Sequence, residues 1–211
     1  MNELIQKNFE TKIGQITCEV LSNKSECHTI GENKYENGVS KIYQTEGHQI
    51  ELIEFKSRTH HLVDDSKCWI FRIMKFNDLD EALKIKCELT NQKNDVEFDT
   101  ALGEHLDAIE GYDNEWKIHI GTEDGEVMHS RAEINDWFPE RLKNKVNFYE
   151  SITTYLKGDT GLETKIPRLK KYEKIHVQYL SAIDKNTKQN ANCRTAVDEL
   201  KSKLDNWIGI R

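Results

Sequence analysis

The spacing of apolar residues along this 211-residue chain changes from two to about three and a half, and the predicted elements follow that change. In the first third the spacing is two. Ile16, Cys18 and Val20 alternate with polar residues between Ile13 and Leu21, as in a strand with one wet face. Ser22 to Gly38 is polar and turn-rich, and predicts an exposed connection. Lys41-Ile42-Tyr43-Gln44 and His48 to Lys56 predict a hairpin through Thr45-Glu46-Gly47, with Gly47 free to take positive φ. Cys68-Trp69-Ile70-Phe71-Arg72-Ile73-Met74 is the most apolar run of the chain and predicts a central strand. Asn77 to Leu89 fits two elements: a helix capped by Asn77 or Asp78, with Asp80 and Glu81 in its first turn, or a strand through Ile85, Cys87 and Leu89.

Asp95-Val96-Glu97-Phe98-Asp99 alternates as a strand with three acids on one face. From Asp99 or Thr100, Leu102, Leu106 and Ile109 make a helical stripe, Glu104, Asp107 and Glu110 a second one, and Gly111 a stop. Trp116 to Ile120 predicts a strand, Gly121 to Gly125 a turn, and Val127 to His129 a second strand. In the last third a helix entry at Asp136 to Glu140 precedes a stripe at Leu142, Val146, Tyr149, Ile152 and Leu156, ended by Gly158. Ile175 to Leu180 reads as a strand, with helix still open, and Lys185 to Asn192 as a polar loop. A closing helix runs from about Thr195 with Val197, Leu200, Leu204 and Trp207 on one face. The sum is an α+β fold, a mainly antiparallel sheet packed against C-terminal helices. It forms a single domain over 1–211, β-rich over 1–135 and helix-rich over 136–211.

Charge adds a strong asymmetry. The chain carries a net −7, yet 77–136 holds 17 acidic residues against 5 Lys and Arg, so the remainder is net positive. Aromatic and branched residues from Val96 to Ile134 interleave with these acids, which predicts a folded acidic surface and not a disordered tail. Asp95, Glu97, Asp99, Glu104, Asp107 and Glu110 are the expected docking residues for a basic protein partner. As a divalent-cation set, Asp95, Glu97 and Asp99 match no calcium-loop spacing. The basic cluster of Lys165 to Lys174, with Arg168, Lys170 and Lys171, is expected to be solvated or to pair with the acidic segment. No apolar run approaches the ~18 residues of a membrane span. The first residues lack the apolar core of a secretory signal, and the five scattered cysteines read as reduced thiols. Together these predict a cytoplasmic protein with no membrane contact.

One tripeptide carries chemistry. Glu54-Phe55-Lys56, on the predicted strand from Ile50, resembles the Glu-x-Lys of metal-dependent nucleases of the PD-(D/E)xK class. That resemblance implies Mg²⁺ held by Glu54, water or phosphate oriented by Lys56, and a nucleic-acid substrate. The family also places a carboxylate, normally Asp, on an earlier strand. This chain has no Asp before Asp64, so Glu36 or Glu46 would have to substitute. Cys27, His28, His48, His60 and His61 concentrate metal-ligand types in the first third without any zinc-site spacing. There is no GxSxG elbow, P-loop or GxGxxG fingerprint. The expected function is therefore a non-enzymatic binding protein needing no cofactor, presenting its acids to a basic partner as immunity proteins, antitoxins or defence-system components do. An acidic mimic of nucleic acid would share that surface, and the alternative is the Mg²⁺-dependent nuclease using Glu54 and Lys56.

Overall fold

Two burial patterns separate the layers of the molecule. Leu83–Thr90 is buried at every second residue (Leu83, Ile85, Cys87 and Leu89), as in a sheet with one face in water. Lys174–Lys185 is buried without interruption from Ile175 to Ile183, which only a strand covered on both faces shows. A computed structural model of the chain describes all residues except Asn94, Leu102, Glu104, Phe148, Tyr149, Lys188, Gln189, Asn190 and Arg211.

Its strands are β1 (Asn2–Glu10), β2 (Gln15–Ser22), β3 (Cys27–Lys34), β4 (Gly38–Thr45), β5 (His48–Phe55), β6 (Asp65–Lys75) and β7 (Leu83–Thr90). They continue with β8 (Glu97–Thr100), β9 (Leu106–Tyr112), β10 (Trp116–Glu123), β11 (Thr153–Tyr155), β12 (Gly161–Lys165) and β13 (Lys174–Lys185). The helices are α1 (Gly125–Glu133), α2 (Asn192–Val197) and α3 (Lys201–Ile208). The strands form a five-stranded sheet in the order β1-β2-β7-β12-β11 and an eight-stranded sheet in the order β3-β4-β5-β6-β13-β10-β9-β8. The paired strands run antiparallel in both.

One apolar cluster lies between the two sheets. It joins Ile16, Val20, Ile85 and Leu162 of the smaller sheet to Ile50, Trp69, Phe71, Ile118, Val177 and Tyr179 of the larger. A second cluster covers the far face of the larger sheet, where Ile53, Phe55, Ile70, Leu180 and Ala182 meet Cys193, Val197, Leu204 and Ile208 of α2 and α3. The architecture is mostly antiparallel sheet with helices near the C-terminus, and sheet dominates more than the expected α+β class implies. Among the described residues, no helix is long and apolar enough to cross a membrane.

Several elements differ from expectation, each for a packing reason. The stretch 22–38 contains β3, an edge strand whose polar residues are exposed because only β4 pairs with it. The helix expected from Asp99 to Gly111 is instead β8 and β9. Leu106, Ala108 and Ile109 are all buried because β9 has cover on both faces, and that removes the alternation by which a strand is recognised. The strand expected at Val127 and His129 is α1, started by Asp124, whose side chain accepts from Val127 N at 2.9 Å. The long helix from Leu142 to Leu156 is a 3-10 turn over Glu140–Lys145 followed by β11, so 136–211 is not helix-rich: it contains β13, which pairs with β6 and β10. Leu102 and Tyr149 of the expected stripes lie outside the described residues. Asn77 to Leu89 resolves into a loop and β7. The hairpin of β4 and β5, the central strand β6 and the strand through Ile175 to Leu180 form as expected.

Candidate functional site

The acidic residues that do converge lie where the β9–β10 turn meets the end of β13. Asp113 closes that turn, its Oδ1 accepting from the backbone N–H of Glu115 at 2.8 Å and of Trp116 at 2.7 Å. Asn186, just past β13, donates through Nδ2 to Asp113 O at 2.6 Å and through its backbone N–H to Glu115 O at 2.8 Å. The turn is thus tied to the adjacent strand. Trp116 opposes Lys185 in the β10–β13 register, and Lys185 Nζ sits 3.7 Å from its ring centroid, with Lys12 Nζ at 5.8 Å. An open cleft of about 930 Å³ exposes this arrangement, lined by Trp116, Asp95, Asp113, Glu115, Lys12 and Lys93. A neighbouring cleft of about 480 Å³ shares Asp95 and Asp113 and adds Glu97, Tyr112 and Lys117.

Edge strand β8 supplies the rim. Glu97 opposes Tyr112, whose hydroxyl donates to Glu97 Oε2 at 3.1 Å, and Asp99 opposes Glu110. Asp95, Glu97, Asp99 and Glu115 are exposed. Glu110 shares their face but is engaged: His119 Nε2 stands 2.9 Å from Oε2 and Lys117 Nζ 3.3 Å from Oε1. The hydrogen bond from His119 holds the Glu110 carboxyl below the usual range despite partial burial. Asp107 does not belong to this surface. It opposes Thr122 on the other face of β9, where burial and the charge of Asp124 push its carboxyl up to about 6, against a hydrogen bond from Ser151. Glu104 lies outside the described residues.

Other acids of this segment are held in ion pairs. Glu88 pairs with Lys86, Glu123 with Arg131, Glu133 with His129 and Asp136 with Lys201. The basic cluster sits at the opposite end of β13, roughly 36 Å from the acidic turn at ~3.3 Å per residue. It meets the acidic segment at Arg168–Asp80, 3.5 Å apart and about four-fifths exposed, while Arg141 pairs with Glu173.

The Glu-x-Lys tripeptide is split by its partners. Glu54 Oε1 accepts from Lys7 at 2.6 Å and Oε2 from Lys67 at 2.8 Å. Burial raises its carboxyl, but these two lysines bring it below the usual range. Lys56 pairs separately with Asp65 at 2.8 Å. Of the substitute carboxylates, Glu36 lies beside the β4 end that pairs with Phe55, whereas Glu46 lies in the turn at the other end of β5 and approaches Lys24 at 3.5 Å. Among the described residues no group of three His, Cys, Asp or Glu side chains is placed to hold a metal ion, Asp95, Glu97 and Asp99 included. Of the histidines considered for metal, His48 is buried against Glu81 at 2.9 Å and His60 packs edge-on to His61.

Two groupings escaped the sequence. Trp116 and Glu115 carried a partial signal, since Asp113-Asn114 just before the alternating run from Trp116 to Ile120 marks a turn that places both at its exit. The other grouping carried none. Glu51 Oε1 accepts from Tyr35 at 2.6 Å, Ser40 at 2.9 Å and Asn33 at 3.2 Å, and Oε2 from Arg72 at 3.2 Å, while the Arg72 guanidinium lies 4.1 Å from the Trp137 ring centroid. Asn33, Tyr35 and Ser40 are close in sequence, but Glu51, Arg72 and Trp137 are far from them and from one another and join them only through the fold. No protein-family model matches the chain, and neither does any curated protein or solved structure.

Proposed function

We propose that this chain is a non-catalytic binding protein that receives a Lys or Arg side chain of a basic protein partner against Trp116. Its support is that Trp116 already holds a cation, Lys185 Nζ, 3.7 Å from its ring within an open cleft bearing Asp95, Glu115 and, alongside, Glu97. A partner cation exchanges with Lys185 on the ring, and the exposed carboxylates take its remaining donors. Aromatic anchors surrounded by polar rims carry most of the energy of such interfaces, and the exchange gains the difference between a desolvated cation–π contact, on the order of 2 kcal/mol, and the open one with Lys185, about 0.5–1 kcal/mol. The carboxylates chiefly raise the association rate, over a screening distance of about 8 Å at physiological salt. The partner class that suits this chemistry is a protein whose own site binds phosphate. Carboxylates then stand in for phosphate and the bound protein blocks the site, as in toxin–immunity, toxin–antitoxin or defence-system pairs.

An arginine-rich peptide serves as the probe, with binding followed by fluorescence anisotropy at several salt concentrations. Affinity falls with salt, and Trp116→Ala lowers it about tenfold or more, the loss expected for an aromatic anchor. Glu97→Lys with Glu115→Lys slows association, whereas the same charge change at Glu3 and Glu26, toward the other end of β1 and β2, has little effect. Equal affinity in wild type and Trp116→Ala would overturn the assignment.

A further inference from the structure

The smaller sheet stops short of the larger one. Its edge strand β1 lies over β5, where Lys7 Nζ reaches Glu54 Oε1 at 2.6 Å and Ile5 and Phe9 join Ile50 and Leu52 in the inner cluster. Beyond that edge the larger sheet runs on through β4 and β3. Residues opposite each other across antiparallel strands share a face, so Val39, Lys41 and Tyr43, which oppose Glu54, Leu52 and Ile50, point to the same side as the inner cluster. The cover ends with β1: Ile50 is 0% and Leu52 1% exposed, whereas Val39 is 53% exposed, Lys41 is exposed and Tyr43 is partly buried. These side chains form a ledge beside an open strand edge.

That edge is long. The nine residues of β1 pair only with β2 among the described residues, so one row of backbone N–H and C=O groups faces the space above the ledge. A second copy does not fit there. Pairing the β1 edges of two copies about a two-fold axis would bring both β3–β4 overhangs into one layer, where they collide. The space is two strands wide, about 10 Å at ~4.8 Å per strand, which suits a single extended segment. Its charge is set by Lys7, Lys67 and Lys41 with Lys34 of β3, against Glu54 and Glu32: both Lys7 and Lys67 draw on Glu54, and Lys41 lies 3.5 Å from Glu32. An inward lysine at an edge deters a strand that would bury it without a counter-charge, and so selects an acidic one. Along β4 the ledge reads apolar, cationic, apolar at alternate positions. We propose that β1 accepts an extended segment of a partner protein as a sixth strand of the smaller sheet, one whose alternate residues read apolar, acidic, apolar. Its apolar side chains cover Val39 and Tyr43 and its carboxylate meets Lys41, while its backbone pairs with β1.

The probe is a fluorescein-labelled peptide, Thr-Val-Thr-Glu-Thr-Val-Thr with blocked ends, titrated with the full chain at low salt and followed by anisotropy. It binds saturably, and the same peptide with lysine in place of glutamate binds about tenfold or more weakly. Lys41→Glu reverses that preference, a reversal that a misfolded chain would not give. Methylating the amide nitrogens of alternate peptide residues abolishes binding for one set and spares the other, because only one row of N–H groups faces β1. Trp116→Ala changes none of these results, which separates the ledge from the acidic cleft. Absence of saturable binding, equal affinity for the two peptides, an unreversed preference in Lys41→Glu, or equal effects of the two methylated sets would each overturn the proposal. So would a dimer of the chain, seen by sedimentation velocity, that the peptide dissociates, since the edge would then belong to a second copy.

Discussion

Glu81 shows how a single polar side chain can tie two sheets together. It sits in the loop between β6 and β7 and accepts from Ser22 of the smaller sheet at 2.8 Å. From the β4–β5 turn of the larger sheet it accepts from Thr45 at 2.6 Å and Gly47 N at 2.8 Å, and His48 Nδ1 lies 2.9 Å away. Gly47 does not have the positive φ its turn suggested. A Cβ there would stand 2.9 Å from Glu81 Oε2 and 3.0 Å from Lys75 Nζ, so the glycine leaves room for this contact. Burial raises the Glu81 carboxyl, but the hydrogen bonds outweigh it and bring it to about 2. A depressed folded-state value contributes stability above the unfolded carboxylate range, and that contribution is lost as pH falls from about 4.5 toward 2. At about 1.4 kcal/mol per unit, the contribution at neutral pH is on the order of 3 kcal/mol. Urea denaturation of wild type and Glu81→Gln should differ by about that amount at neutral pH, and the difference should shrink as the solution is acidified through this window.

At the scale of the element, β8 joins a structural role to the proposed docking role in the same residues. It is a four-residue strand at one edge of the larger sheet, and its unpaired backbone groups face away from β9. Short length and outward charge are how sheets discourage pairing with another copy, so Glu97 and Asp99 serve the edge whether or not a partner docks. Replacing both by Thr, which keeps strand propensity and removes charge, should increase concentration-dependent self-association. Sedimentation velocity measures it, and no increase over wild type would show that these charges do not guard the edge. The same element explains why a helix looked plausible from Asp99: the stripe Leu106 and Ile109 fits 3.6 residues per turn, while β9 buries both because it has neighbours above and below.

Across the whole molecule, the larger sheet is the middle layer, with an apolar cluster on each face. Leu204 of α3 is fully buried in the outer cluster. Truncation at such a site costs about 2–5 kcal/mol, so Leu204→Ala should lower the urea midpoint by a corresponding amount. A change near zero would show that α3 is not needed to cover Ile53, Phe55 and Ile70. Both ends of β13 carry mixed charge: Arg168, Lys170 and Lys171 lie toward its start beside Asp78 and Asp80, and Asp113 and Glu115 toward its end beside Lys12, Lys93 and Lys185.

The sequence by itself determined the elements whose signals are local. The β4–β5 hairpin, β6 and β10 follow from spacing and turn residues within a few positions of one another, whereas the single closing helix expected from about Thr195 divides into α2 and α3, with Leu200 as the extended residue before α3 and Ile208, not Trp207, buried on its face. It also established the acidic excess of 77–136, because charge is additive along a chain. Tertiary structure alone decided which strands are covered twice, and hence that β9 is a strand at all, since burial on both faces erases the period-two pattern. It also decided the fate of individual charges. Of the six expected docking acids, Asp95, Glu97 and Asp99 remain exposed, Glu110 is taken by His119 and Lys117, Asp107 turns to the opposite face, and Glu104 lies outside the described residues. Whether a carboxylate is a free surface group or half of an ion pair depends on which residue stands opposite it across a strand, and that register is fixed by the packing of the whole sheet.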